Sequence, residues 1–304
     1  MSKASIYKRF ATVFEVQTCP RVQAQLFLNC CKSKMAHVGI QIYAQQQHTS
    51  KNMRDAILEI VNSDHFDREA ILGEIKNRRI NISEAFCLLW QNSETGDVSG
   101  RQAGIELNGA ATAVCIVDLI ILGKAEIEVV PGTTLGVKKI DVFAKVKDPT
   151  PTGTFLDKAI FNDMLEHHKK NPENPKKLKD WIMCGIQKFK AKNKCSTITL
   201  DSLVEKGILD KKESMFSIKY PTSLQGPERE LADELNKIAL ENAEMTPYMR
   251  VLLTMLRAAD DLLCFWDPLL KKHFPKEDYP RAKERIKSLV KVDIDLKKKY
   301  EGFD

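Results

Sequence analysis

Few residues in this sequence combine the types and the spacing that chemistry needs. His167 and His168 are adjacent and follow Glu166, but no cysteine or second carboxylate lies at metal-ligand spacing. A metal centre needs several converging ligands, so the pair reads as a solvated helix end. Asp260 and Asp261 fall inside an apolar helical run. Helical neighbours point about 100° apart, so the two cannot face one site. A cap or salt-bridge role is expected for Asp260, with Asp261 at the surface. The lone Gly-Lys of "ILGKAEI" follows a helix, whereas a phosphate cradle needs a strand before its Gly-rich turn. The eight cysteines show no CxxC spacing. Cys87, Cys115, Cys184 and Cys264 lie in apolar helical patterns, as free thiols of a reducing compartment do. The reading is a protein that is not an enzyme and carries no metal and no cofactor.

What stands out is positive charge. The chain of 304 residues has 47 Lys+Arg against 41 Asp+Glu, a formal net charge of +6, too mild to demand a nucleic acid. The lysines are grouped, however. Lys169, Lys170, Lys176, Lys177, Lys179, Lys188, Lys190, Lys192 and Lys194 are opposed only by Glu173 and Asp180. A second group, Lys206, Lys211, Lys212 and Lys219, brackets a short apolar strand in "SLVEKGILDKKESMFSIKYP". There Phe216, Ile218 and Tyr220 alternate with Ser217 and Lys219, giving one apolar face and one wet face. Each lysine near an anionic membrane contributes about 1 kcal/mol within a Debye length. An apolar hairpin tip adds insertion to that electrostatic term. The same face could instead pack on the domain's own helices or pair with a second copy.

The secondary structure around these residues is mostly helical. Residues 1–79 are expected to be a partly ordered N-terminal extension, with short helical patterns at Met53/Ile57/Ile60/Val61 and Phe66/Ala70/Ile71/Ile75. From Ile80 the periodicity strengthens. "INISEAFCLLWQ" is a capped helix, and "AATAVCIVDLIILGK" is apolar nearly all round, so it belongs in the core. Gly123 and Gly207 each end a helix before a strand pattern. "KAEIEVV" and Ile140/Val142/Ala144/Val146 read as two strands separated by turn signals from Pro131. Helices follow after Thr154, through Leu178–Phe189, from Pro227, and from Thr246-Pro247. An exposed, mostly basic helix, "YPRAKERIKSLVKV", closes the run. The fold class is mainly α (α+β), a single helical domain over 80–298 with short β-hairpins. Asp118 interrupts "VCIVDLIIL", and no run reaches the roughly 18 apolar residues of a membrane span. A cytoplasmic protein is expected.

In this order, "ISEAFCLLW", "ILGKAEIE", "PTGTFLDKAI", "LKDWI", "SLVEKGIL", the apolar hairpin, "LLTMLRAADDLL" and "DPLLKKHFPKEDYPRAKERIKSLV" resemble the Golgi phosphoprotein 3 family. The resemblance implies a peripheral protein on the cytosolic face of Golgi membranes. It implies phosphatidylinositol 4-phosphate binding, and an adaptor role in vesicle trafficking that links glycosyltransferase tails to coatomer for retrograde retention. The family's hairpin serves membrane contact or self-association, which assigns Met215, Phe216, Ile218 and Tyr220 to that role. Its headgroup site uses a Trp, an Arg and two basic residues before "SLVEKGIL". Ala103, Thr112, Asn193 and Ser196 stand at or near those positions here. The remaining headgroup candidates are Arg101, Lys190, Lys192 and Lys194. Lysine offers a point charge without the bidentate fork of arginine, so reduced phosphoinositide selectivity is expected.

Two other readings compete. One is a protein-binding or homo-oligomeric module of the same fold that has lost the lipid. The other is nucleic-acid binding, since helix–Gly–strand units also occur in winged-helix modules. The basic stretch lacks arginine enrichment and aromatic interleaving, so this last reading ranks lowest.

Overall fold

Why the chain folds around one helix pair follows from two segments with no polar face. In the computed structural model, which describes residues 50–97, 105–134, 137–187, 194–214, 218–260 and 269–290, these become α3 (Ile82–Trp90) and α4 (Ile105–Ile121). Every residue of α3 is buried, and Leu107 to Ile121 of α4 are buried without a break. A helix apolar all round needs neighbours on every side. They come from both directions of the chain. Helix α1 (residues 50–61) contributes Met53, Ile57 and Leu58 to the core, and α2 (Arg68–Arg78) contributes Ile71. Residues 50–78, assigned above to the N-terminal extension, thus share this core. All the described residues fall in one compact unit, 45–304.

Helix α4 stops at Gly123, whose φ of 71° is in the left-handed region. Its N–H reaches Ile120 O at 3.0 Å and that of Lys124 reaches Leu119 O at 2.8 Å, the Schellman closure of a helix end. The chain then enters β1 (Ala125–Thr134), antiparallel to β2 (Val137–Val146). The first two of the expected turn residues, Pro131 and Gly132, fall inside the strand. The strand runs on to Thr134, with Pro131 opposite Ile140. A two-stranded ribbon is all edge, so a proline with no N–H to donate is tolerated there.

After "DPTPTG", Asp157 accepts from Thr152 N at 2.9 Å and Gly153 N at 2.9 Å, closing the entry to a π-helical turn, Asp157–Phe161. This leads into α5 (Asn162–Lys170). Then come α6 (Leu178–Gln187) and α7 (Cys195–Glu205), both against α4, with α7 also on α3. Gly207, with φ 71°, repeats the Gly123 closure: its N–H reaches Val204 O at 2.9 Å and that of Ile208 reaches Leu203 O at 3.0 Å. A short hairpin follows, β3 (Lys212–Glu213) with β4 (Ile218–Lys219). Helix α8 (Gln225–Leu240) begins two residues before Pro227, which still falls in the first turn, where a missing N–H costs no bond. Thr246 Oγ1 accepts from Met249 N at 3.2 Å and caps α9 (Pro247–Asp260). A short 3-10 turn, Leu270–His273, precedes α10 (Tyr279–Leu289). The last helix is not wholly exposed, because Ala282 and Ile286 are buried. The protein is mainly α with two short hairpins.

Candidate functional site

Three regions bear on a site: the expected headgroup position, the basic stretch, and the β3–β4 hairpin. At the first, Asn108 and Thr112 lie one turn apart on α4, and Ser196 lies in the first turn of α7. Asn108 and Thr112 are 0% exposed and Ser196 is 6% exposed. Thr112 Oγ1 donates to Asn108 O at 2.8 Å. Asn108 Oδ1 lies 3.3 Å from Ser196 Oγ, its donor, and 3.4 Å from Ser196 N. A turn further along, Cys115 Sγ is 3.6 Å from Thr199 Oγ1. Hydrogen bonding to Cys195, reinforced by burial, holds the Cys115 thiol well above its usual range. The interface is a neutral polar layer whose members bond to one another. It presents no cation where the resemblance calls for two.

The basic candidates around this layer divide. Lys194 is the N-cap residue of α7 and half-buried. It adds a positive charge at a helix N-terminus, where the dipole already favours an anion. Arg101, Lys190 and Lys192 lie outside the described residues, as do Ala103 and Asn193. Upstream, Lys170 pairs with Glu166 at 2.6 Å and Lys177 with Asp141 at 2.8 Å. Lys176 sits over the Trp181 ring, 4.2 Å from its centroid.

The hairpin corrects one expectation. Tyr220 does not face a membrane or a partner. It is 1% exposed and belongs to the domain's core, with its hydroxyl donating to Asp201 Oδ1 at 2.8 Å. Burial, and then that bond, push its phenol well above the usual range. The cause is the bridge of Leu209 to Thr222, which draws the base of the hairpin onto α7. Ile218 is half-buried and packed against the core. Met215 and Phe216 lie outside the described residues.

The bracketing lysines are also engaged. Lys206 Nζ lies 2.5 Å from Glu84 Oε2. Lys211 lies 2.9 Å from Asp201 and 3.2 Å from Glu213, and Lys219 lies 3.3 Å from Asp97. Burial alone would lower the Lys211 ammonium, but its bonds to Asp201 and Glu213 outweigh burial and the net shift is upward. Lys212 remains exposed. Sequence reasoning missed the carboxylates that gather these lysines. Glu84 was within reach of it, because a glutamate three residues after Asn81 signals a capping box, and Asn81 N does donate to Glu84 Oε2 at 2.8 Å. Nothing in the local pattern points to Asp201 or Asp97.

Among the described residues no group of three or more His, Cys, Asp or Glu is placed to hold a metal. Nor is any helix there long and apolar enough to cross a membrane. The class is therefore a mainly helical domain with a polar α4–α7 seam and a hairpin tied to α7. The family model of Golgi phosphoprotein 3 (GPP34) matches residues 82–299, most of the chain. The chain belongs to the Golgi phosphoprotein 3 family. Comparison with individual curated proteins finds no match.

Proposed function

We propose that this protein is a peripheral protein of the cytosolic face of Golgi membranes. In this reading it recognises phosphatidylinositol 4-phosphate and acts as an adaptor in vesicle trafficking and glycosyltransferase retention, with coatomer and glycosyltransferase tails as partners. The observation that carries this is the family match over residues 82–299. Supporting it, Lys194 stands at the N-terminus of α7, and Lys188, Lys190 and Lys192 precede it in the sequence. A lysine at a helix N-terminus favours a phosphate through charge and dipole together. Arg101 would complete the set.

A second reading is a self-associating or protein-binding module of the same fold without the lipid. The neutral Asn108–Thr112–Ser196 layer favours it. Sedimentation with phosphatidylcholine vesicles, with and without phosphatidylinositol 4-phosphate, separates the two. The first reading expects phosphoinositide-dependent binding, weakened by salt and by charge reversal at Lys190, Lys192 and Lys194. Absence of binding at any salt concentration, together with an oligomer dispersed by Phe216→Asp with Ile218→Asp, would establish the second.

A further inference from the structure

Between β2, α5 and α6 lies a niche of about 90 Å³ whose wall includes Lys145, His167, His168, Lys176 and Trp181 and no carboxylate residue. Room for a few water molecules suits one small ion and excludes a sugar ring. The walls are held in place by the fold. Phe143 bridges to Lys177, Ala144 N donates to Lys176 O at 3.4 Å, and Lys177 pairs with Asp141. Trp181 is 5% exposed, and its indole N–H has no hydrogen-bond acceptor among the described residues. A buried donor without an acceptor is costly, and this one belongs to a residue of the niche wall. Beside it, the Lys176 ammonium has no carboxylate partner among the described residues. It lies over the indole ring at 4.2 Å and donates to Cys184 Sγ at 2.7 Å.

The geometry points to a site for one tetrahedral oxyanion of phosphate type, held by Lys176, His168 and the Trp181 indole. Lys145, which also pairs with Glu128 at 2.6 Å, adds a second positive charge. His167 is committed by a 3.1 Å contact of Nε2 with Asn174 O and stacks edge-on against Trp181, so it orients the wall. The C-terminal end of α5 opposes an anion with about half an elementary charge, which the Lys176 ammonium alone exceeds. The far larger cleft beside α7, about 860 Å³, sets Asp163, Asp201 and Glu205 against Lys158 and Lys206 in its wall, a less favourable lining for the same ion. The niche is built on elements other than α4 and α7, which carry the family's headgroup position. It can therefore fail while the Golgi reading stands, and the reverse.

The test uses the full chain labelled with ¹⁵N-tryptophan. The sequence has three Trp residues, and loss of one indole signal in Trp181→Phe assigns the niche. Titration with inorganic phosphate, against chloride at equal ionic strength, is expected to move the Trp181 signal saturably and leave the other two in place. Lys176→Met with His168→Gln should weaken that binding at least tenfold, and Lys179→Met should leave it unchanged. If the double variant does not fold, the exposed His168→Gln alone should still weaken it several-fold. A Trp181 signal that stays still, or that moves equally in chloride, overturns the proposal, as does wild-type affinity in the folded variants. Vesicles carrying phosphatidylinositol 4-phosphate then name the source. Loss of vesicle binding in the double variant assigns the phosphate to a lipid headgroup, and unchanged vesicle binding assigns it to a soluble phosphate.

Discussion

Lys206 and Glu84 form an ion pair at 2.5 Å, with Glu84 wholly buried and Lys206 about one-third exposed. Ser202 Oγ donates to the other Glu84 oxygen at 2.8 Å, and Lys206 also reaches Arg79 O at 2.9 Å. Two residues of "SLVEKGIL" therefore join the end of α7 to the start of α3. The motif with the strongest family signal secures the central helix pair, and its lysine is not free for a membrane.

The first prediction follows from that pair. Lys206→Met removes the cation and leaves a buried carboxylate whose donors among the described residues are Asn81 N and Ser202 Oγ. Complete burial would make this a loss of 3–5 kcal/mol. Because Lys206 is part-exposed, about 1–3 kcal/mol is expected instead. Urea unfolding should show it as a lower midpoint at unchanged slope. Glu84→Gln in the Lys206→Met background should recover part of the loss. A Lys206→Met protein as stable as wild type would remove the pair from the fold's support.

Tyr220 gives a second. Tyr220→Phe should cost about 1.5–3 kcal/mol, the scale of one bond to a charged acceptor, and toward the lower end since Asp201 keeps Lys211. Tyr220→Ala, which also opens a cavity, should cost about 3–5 kcal/mol. A membrane-facing tyrosine would show neither loss in denaturant and would lose vesicle binding instead. Unfolding curves and vesicle sedimentation on the same variants decide between them.

The third concerns pH. Burial raises the Asp118 carboxyl to about 7, although it accepts from Ile82 N at 3.1 Å and Ser83 N at 3.0 Å. A raised acid binds more protons folded than unfolded, so its contribution to stability falls as pH rises from about 4 to about 7. His273 has the opposite sign. Burial, aided by Lys272, lowers it to about 4, so its contribution rises with pH from about 4 to 6.5. The two slopes oppose each other in the wild type. Each is at most about 1.4 kcal/mol per pH unit. Asp118→Asn should therefore make stability climb more steeply between pH 4.5 and 6.5 (about two pH units), and His273→Gln should make it fall. Denaturation midpoints across that range check the signs, and unchanged slopes in both variants would refute them.

How much of this was legible beforehand depends on whether the cause is local. α3 and α4 were readable because Ile82–Trp90 and "AATAVCIVDLIILGK" carry their burial in composition. Gly123 and Gly207 were readable because a left-handed helix end favours glycine. Pro131 falls inside β1 because a two-stranded ribbon is all edge, where a missing N–H costs no ladder bond. The lysine groups misled. Lys206, Lys211 and Lys219 look free in sequence, but their partners Glu84, Asp201 and Asp97 are brought to them by tertiary folding. Tyr220 shared its alternating pattern with Phe216 and Ile218, and alternation defines a face without saying what covers it.

The last prediction concerns the α4–α7 seam. If the family's cation could simply be restored, Ser196→Arg would create a phosphoinositide contact. The structure argues otherwise. Ser196 is 6% exposed, and its hydroxyl and amide both face Asn108 Oδ1. A guanidinium there would enter a neutral layer with no carboxylate to receive it, and a buried unpaired charge costs several kcal/mol. Ser196→Arg is therefore expected to lower the urea midpoint sharply without raising affinity for phosphatidylinositol 4-phosphate vesicles. Asn108→Asp with Ser196→Arg, which supplies a partner, should regain part of the stability and still show no gain in vesicle affinity, because the new cation is neutralised internally. A folded single variant with tighter vesicle binding would mean that the seam opens to solvent and that its neutrality, not its burial, limits its part in binding.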